Sequence, residues 1–218
     1  MNTLRVIKHL VPQRARDKVR THWADLVATR AFRAAASRGF CPESIVSLRE
    51  AWGNASFAAR YDYLCAVCDY ARRSNIAILE CGTGLTTAIM AAVANVQIYC
   101  LEHSPEWADF IDRRLNQLHL SAAVIRSKLH DYGAFDWYEI PTSLPNKFDL
   151  VVCDGPPGTT RGGRYGLLPL LGERIHRAAV LLDDAQRPQE SEILTRWQTE
   201  FKFKFLHHVS GYAFRPAP

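Results

Sequence analysis

The stretch Ala77-Ile78-Leu79-Glu80-Cys81-Gly82-Thr83-Gly84-Leu85-Thr86-Thr87 restricts the fold more than any other part of this chain. An apolar run ends in an acid, a glycine turn follows, and helix-forming residues come next. The pattern predicts a buried parallel strand, a tight turn and the start of a helix. Gly82 and Gly84 omit side chains where the backbone must bend and where a ligand can approach it closely. The helix start behind them offers unpaired N–H groups. The three-glycine dinucleotide fingerprint is absent, because Thr87 stands where its last glycine would be. Glu80, at the strand's carboxyl end, suits a ligand with a positive amino group better than one with a pyrophosphate.

The arrangement returns along the chain. The apolar run from Val96 to Leu101 ends in Glu102, at the place where a strand-end acid would hold a ribose by its hydroxyls. The run from Phe148 to Cys153 ends in Asp154 and the turn Gly155-Pro156-Pro157-Gly158. The run from Ala178 to Leu182 ends in Asp183-Asp184. Ligands of open α/β sheets bind outside the carboxyl ends of the strands, so acids gathered on that edge mark a site.

Between these runs the sequence alternates strand and helix. Strands are predicted near 76–81, 96–101, 122–126, 148–153 and 178–182, with helices over 85–94, 105–118, 164–176 and 188–200. The alternation predicts a doubly wound, mostly parallel sheet. Phe201 to His207 alternates apolar and polar residues, Ser210-Gly211 makes a turn, and Tyr212-Ala213-Phe214 returns, which predicts a C-terminal β-hairpin.

The amino-terminal part has a different character. Residues 1–40 hold nine Lys/Arg and two Asp/Glu, a balance of +7, so the rest of a chain of net charge +5 carries −2. A basic amphipathic helix is predicted from Arg16 to Arg38, with Val19, Trp23, Leu26 and Val27 on one stripe. Gly39 ends it, Pro42 blocks its continuation, and a linker follows before a helix from about Ser56 to Arg73. We read residues 1–50 as a basic helical extension and 51–218 as the main domain. Such an arm can touch nucleic acid or an anionic membrane surface, or be a solvated helix face.

At 218 residues the chain fills one good α/β core and is short for two. No apolar run approaches the roughly 20 residues of a membrane span, and no secretory leader is expected at the start. Three of six cysteines, Cys81, Cys100 and Cys153, fall in predicted core strands, where Cys acts as a small hydrophobe. Cys65-Ala66-Val67-Cys68 has redox spacing, but no second Cys pair or Cys/His cluster completes a zinc site. Reduced thiols and a cytoplasmic location are the expectation.

Glu80-Cys-Gly-Thr-Gly, Glu102 and Asp154, at the ends of the first, second and fourth strands, resemble the class I S-adenosylmethionine-dependent methyltransferases over about residues 50–215. Leu79 to Thr87, Asp154-Gly155-Pro156-Pro157 and Leu182-Asp183-Asp184 resemble more closely the bacterial branch grouped as methyltransferase family 24. The resemblance implies a Rossmann-like methyltransferase fold of seven strands closed by the C-terminal hairpin. It implies S-adenosylmethionine as cofactor, held by Glu80, Gly82, Thr83, Gly84, Glu102, His103 and Asp154, with Asp154 the catalytic candidate. Ser127 and Lys128 follow the third strand, where this fold commonly contacts adenine, without the usual Asp or Asn. Asp154, Asp183 and Asp184 resemble the three oxygen ligands of catechol-type O-methyltransferases, where the last is usually Asn. Mg²⁺ is the hard cation such ligands suit. Pro157 stands where those enzymes carry a Lys, and Asp183-Asp184 could equally cap a turn toward Arg187.

The expected reaction is methyl transfer to an oxygen or nitrogen of a small molecule. A nucleic-acid methyltransferase gripping phosphates with the basic arm is the alternative, as is a non-catalytic nucleoside-binding protein of this fold. A homo-oligomer is compatible with each. Acceptor contacts are expected from loops 128–146 and 156–166, with Asp136-Trp137-Tyr138 offering aromatic surface in the first. In the second, Arg161, Arg164 and Tyr165 would either hold an acceptor or form a flexible lid.

Overall fold

The strands of the sheet are short apolar runs bounded by turn residues, and their burial explains both features. Ile78–Cys81 (β1), Leu150–Cys153 (β6) and Ala179–Leu182 (β7) are buried at every position. Side chains alternate across a sheet, so a strand buried at every position is covered on both faces. Leu79, Cys81, Val151, Cys153, Val180 and Leu182 enter one core, while Ile78, Leu150, Val152, Ala179 and Leu181 enter the other. The computed structural model describes residues 13–53 and 59–218. The chain divides into two compact units, with the boundary after Phe57.

The second unit holds the expected doubly wound, mostly parallel sheet. Ile98–Glu102 (β2), Ala123–Arg126 (β3), Leu206–His207 (β8) and Ala213–Arg215 (β9) complete seven strands in the order β3-β2-β1-β6-β7-β9-β8. β9 runs antiparallel to both its neighbours, β7 and β8, and the strand order reverses between β1 and β6. Helices Tyr61–Arg73 (α3) and Leu85–Val93 (α4) pack on one face, where Tyr63, Val67, Ala71 and Met90 join its core. Pro105–Leu118 (α5) packs against β2 and β3. Leu167–Ile175 (α6) and Pro188–Phe201 (α7) cover the other face through Leu168, Leu171, Ile193 and Trp197.

At the amino edge of the sheet one acid ties four residues. Asp149 accepts hydrogen bonds from the Ser74 hydroxyl (2.6 Å) and from the backbone N–H groups of Asn75, Ile76 and Ala77. The segment entering β1 is thereby fixed to β6 before the sheet begins.

Several expectations need correction. Pro42 does not open a linker; it is the first residue of a helix, Pro42–Ala51 (α2). Proline lacks only an N–H that the first helical turn leaves unpaired anyway. In the helix Gln13–Ser37 (α1), Trp23 and Val27 are exposed, and Ala28, Phe32 and Ala35 form the buried stripe. Phe32 packs on Phe40 and Trp52, with ring centroids 5.3 and 6.3 Å apart. The side chain of Val19 and the expected helix start near Ser56 lie outside the described residues. Phe201 to Phe205 is not a strand, because α7 runs to Phe201 and Lys202 closes it in the left-handed conformation (φ 61°). Residues 128–146 are not all loop: Leu129–Asp131 (β4) and Asp136–Tyr138 (β5) pair as a separate two-stranded sheet. Among the described residues no helix is long and apolar enough to cross a membrane.

Candidate active site at the carboxyl edge

The parallel ladder runs one residue past the strands. Gly82 N–H donates to Leu101 O, Asp154 N–H to Cys81 O, and Asp183 N–H to Cys153 O. The residues after β1, β6 and β7 therefore stand side by side at the switch point, where this sheet type binds ligands.

Glu80 is buried, 1% exposed, and each carboxylate oxygen takes one hydroxyl: Thr86 at 2.5 Å and Thr87 at 2.6 Å. Burial pushes its pKa up to about 7; the hydroxyls pull it down, and the Glu102 charge adds to the rise. Thr87 explains the missing third glycine. Its hydroxyl serves Glu80 and also accepts the Gly84 N–H at 3.0 Å.

The two glycines of the turn have different reasons to be glycine. Gly82 has φ +84°, and a Cβ there would meet Gly155 N at 3.2 Å. Gly84 is extended (φ 176°), a conformation open to any residue. A Cβ on Gly84 would meet nothing nearer than Thr86 Oγ1 at 3.9 Å, an ordinary van der Waals contact, so it would clash with nothing. The protein's own backbone requires Gly82, whereas Gly84 leaves room for something else.

Glu102 is also buried, 3% exposed. It accepts from Thr83 N–H (3.1 Å), the Thr83 hydroxyl (2.8 Å) and Ser104 N–H (2.8 Å), with His103 Nδ1 3.2 Å away. The carboxylate thus ties the glycine turn to the end of β2. His103 keeps partial exposure at the rim, with its ring edge-on to Tyr138. Trp107 is a residue that the sequence reading missed. Its indole N–H donates to Thr83 O at 2.5 Å, so Thr83 is held through N–H, hydroxyl and carbonyl. The signal was an aromatic in the first turn after a Ser-Pro helix start; the Ser104 hydroxyl accepts the Trp107 N–H and fixes that turn. Ser127, offered as an adenine neighbour, is buried and donates to Glu139 O at 2.6 Å.

Beyond β6 and β7, one carboxylate oxygen each of Asp154, Asp183 and Asp184 lies within 4.8 Å of the others. Asp154 keeps 34% of its side chain exposed; Arg164, on the turn Gly163–Gly166, keeps 3%. Arg164 Nη2 lies 2.9 Å from Asp154 Oδ1, 3.0 Å from Asp154 O and 3.6 Å from Asp184 Oδ2, while Nη1 donates to Asp183 O. Burial raises the pKa of Asp154 to about 7 against the pull of Arg164, and that of Asp183 to about 6, with Asp184 adding repulsion. Asp184 has φ +57° and pairs with Arg187 at 2.9 Å, as expected of a turn cap. The spacing of the acids is that of metal ligands, but a buried guanidinium already lies among them. This donor set does not fit a divalent ion as it stands.

The loops differ from expectation. Trp137 and Tyr138 offer no aromatic surface, since both are completely buried on β5. Their neighbours are small for this reason: a Cβ on Gly166 would collide with the Trp137 ring, and one on Gly155 with the Tyr138 hydroxyl. That hydroxyl is buried without a hydrogen-bond partner among the described residues, and burial holds its pKa well above the usual phenol value, so it remains a neutral donor. Arg161 is engaged by Asp131 and Asp136, both at 2.5 Å, and Tyr165 donates to Glu200 while Arg196 lies 3.6 Å over its ring. These residues bind the loop to its own surroundings.

No family model and no curated protein matches the sequence. Solved structures do match the fold. An O-methyltransferase from Bacillus cereus in complex with SAH is 14% identical, with 79% of this chain and 87% of that one covered at a TM-score of 0.52. An SAH-bound methyltransferase from Podospora anserina is 13% identical, with 95% and 97% covered at 0.51. At such identities the likeness is one of fold: the chain has the Rossmann-like, seven-stranded architecture of these methyltransferases.

Proposed function

We propose that this chain is a methyltransferase that uses S-adenosylmethionine to methylate an oxygen or nitrogen of a small molecule. The observation that carries the reading is the pair of buried acids, Glu80 and Glu102, on either side of a glycine turn in which a Cβ at Gly84 would clash with nothing of the protein. The fold, shared with SAH-bound methyltransferases, supports it. So does the Tyr138 hydroxyl beside Gly155, a buried donor without a hydrogen-bond partner among the described residues.

S-adenosylmethionine would supply a methyl group on an already activated sulfonium. Glu80, Gly82, Thr83, Gly84 and Glu102 would hold it, with His103 at the rim. Glu80 supplies negative charge suited to an ammonium group, and Glu102 supplies acceptors suited to hydroxyls. The chain's remaining task is to position the acceptor and exclude water. Asp154 is the group to take a proton from an acceptor hydroxyl or amine, because a carboxyl near neutral pKa is matched to that work. Arg164 fixes its Oδ1 in place.

Calorimetry with S-adenosylmethionine tests the reading. Micromolar binding is expected, about −8 kcal/mol. Glu102→Ala should weaken it by roughly 1–3 kcal/mol through loss of charge-assisted hydrogen bonds. No binding at millimolar ligand would sink the proposal. Salt-sensitive RNA binding, together with methyl transfer to RNA, would move the acceptor from small molecules to nucleic acid.

A further inference from the structure

We propose that Arg164 is the resident cation of the Asp154–Asp183–Asp184 cluster, standing where a divalent ion would otherwise be needed, so that this edge of the sheet works without metal. Three carboxyls gathered within 4.8 Å on a largely buried edge must be protonated or neutralised. Arg164 offsets part of that charge, pairing with Asp154 and Asp184. Its side chain is 3% exposed and reaches Asp154 and Asp184 as charges and the Asp154 and Asp183 carbonyls as acceptors. Its own pKa is raised by these acids and by Glu190, against the cost of its burial.

The delivery of Arg164 is built into the fold. It sits on a single turn between Gly163, at φ +51°, and Gly166, which has no room for a Cβ against Trp137. The guanidinium is buried there, 3% exposed, whereas Arg187 on the same cluster is 58% exposed. A divalent ion shared by the three carboxylates would stand beside a fixed positive charge, and the repulsion would disfavour it. Removing the guanidinium while keeping the acids reverses the argument: three oxygen ligands at suitable spacing then lack a cation.

Ion binding, not methyl transfer, is the readout, so the test stands apart from the proposed reaction. Mn²⁺ is titrated into the full chain and followed by electron paramagnetic resonance, with circular dichroism reporting folding. The wild-type protein should show no saturable site at millimolar Mn²⁺, and its melting temperature should not respond to Mn²⁺ or chelator. Arg164→Met should gain one Mn²⁺ per chain, or fold only when Mn²⁺ is present, and Arg164→Met with Asp183→Asn should lose that site. A folded Arg164→Met that binds no Mn²⁺ overturns the proposal. Should Arg164→Met fail to fold under any condition, Arg164→Lys and the wild type decide. No Mn²⁺ site in either supports the proposal; a wild-type site abolished by Asp183→Asn overturns it.

Discussion

The two halves of the carboxyl edge treat their buried acids in opposite ways. At β1 and β2, Glu80 and Glu102 are satisfied by hydroxyls and backbone N–H groups, which are neutral donors. At β6 and β7, Asp154 and Asp184 face a guanidinium inside the protein. Hydrogen bonds satisfy lone pairs without cancelling charge, so the first half retains an unmet demand for a cation. The second half meets that demand internally. The difference divides the labour of the site: one side is prepared for a positively charged ligand, the other already holds a cation and can present Asp154 to an acceptor.

Removing the internal cation should break the comparison most severely. Arg164→Ala leaves the part-buried Asp154 and Asp184 without their partner, and chemical denaturation should show a loss toward the lower end of about 3–5 kcal/mol. A loss below about 1 kcal/mol would mean that the acids are simply protonated and that the two halves do not differ.

Glu80 comes next. Its folded-state pKa of about 7 lies above its ordinary value of 4.5. Its contribution to stability is therefore complete below pH 4.5 and is lost as pH rises through 7, about 3 kcal/mol at about 1.4 kcal/mol per unit. Glu80→Gln should remove that part of the decline between pH 4.5 and 7 and leave the share from Asp154 and Asp183. An ammonium beside Glu80 would draw its pKa down, so ligand binding near pH 7 should release a proton and strengthen as pH rises. Calorimetry in buffers of different ionisation heat measures this directly; no linked proton would remove Glu80 as the ligand's counter-charge.

Asp154→Asn sharpens the other side. Once an acceptor is known, turnover should fall at least about 100-fold with cofactor affinity nearly unchanged. Equal turnover would reduce Asp154 to a partner for Arg164.

The smallest effects separate the two glycines. Gly82→Ala should cost about 1–3 kcal/mol of stability, from its positive φ and the contact with Gly155. Gly84→Ala should change stability by under about 1 kcal/mol, since its conformation is unstrained and its Cβ clashes with nothing, yet weaken ligand binding by adding a methyl group to the glycine turn. Equal stability losses at both positions would show that Gly84 also serves the protein's own packing.

Local sequence carried much of this. Apolar runs ending in acids, glycines between strand and helix, and the Ser-Pro start of α5 are short-range signals, and the elements lie within a few residues of their expected places. The misses were long-range. That Asp136-Trp137-Tyr138 is a buried strand depends on Gly155 and Gly166, which are distant in sequence and make space for two large rings. Arg164 read as an acceptor-holding or lid residue because its burial depends on residues that follow two strands, β6 and β7. Asp149 read as part of a strand, although its partners lie more than 70 residues earlier. The end of α7 turned on one left-handed lysine, and period-two alternation beyond it could not reveal that.

The contact between Gly82 and Gly155 also limits how this chain can change. A Cβ on either residue would meet backbone of the other at 3.1 to 3.2 Å, and backbone has no smaller version to adopt. Large and small side chains can be exchanged between facing partners of a core, but these two positions have no such trade. Random double mutagenesis of 82 and 155 should therefore recover only the parental pair among variants that retain full stability, which makes this crossing a fixed point around which the rest of the site is free to drift.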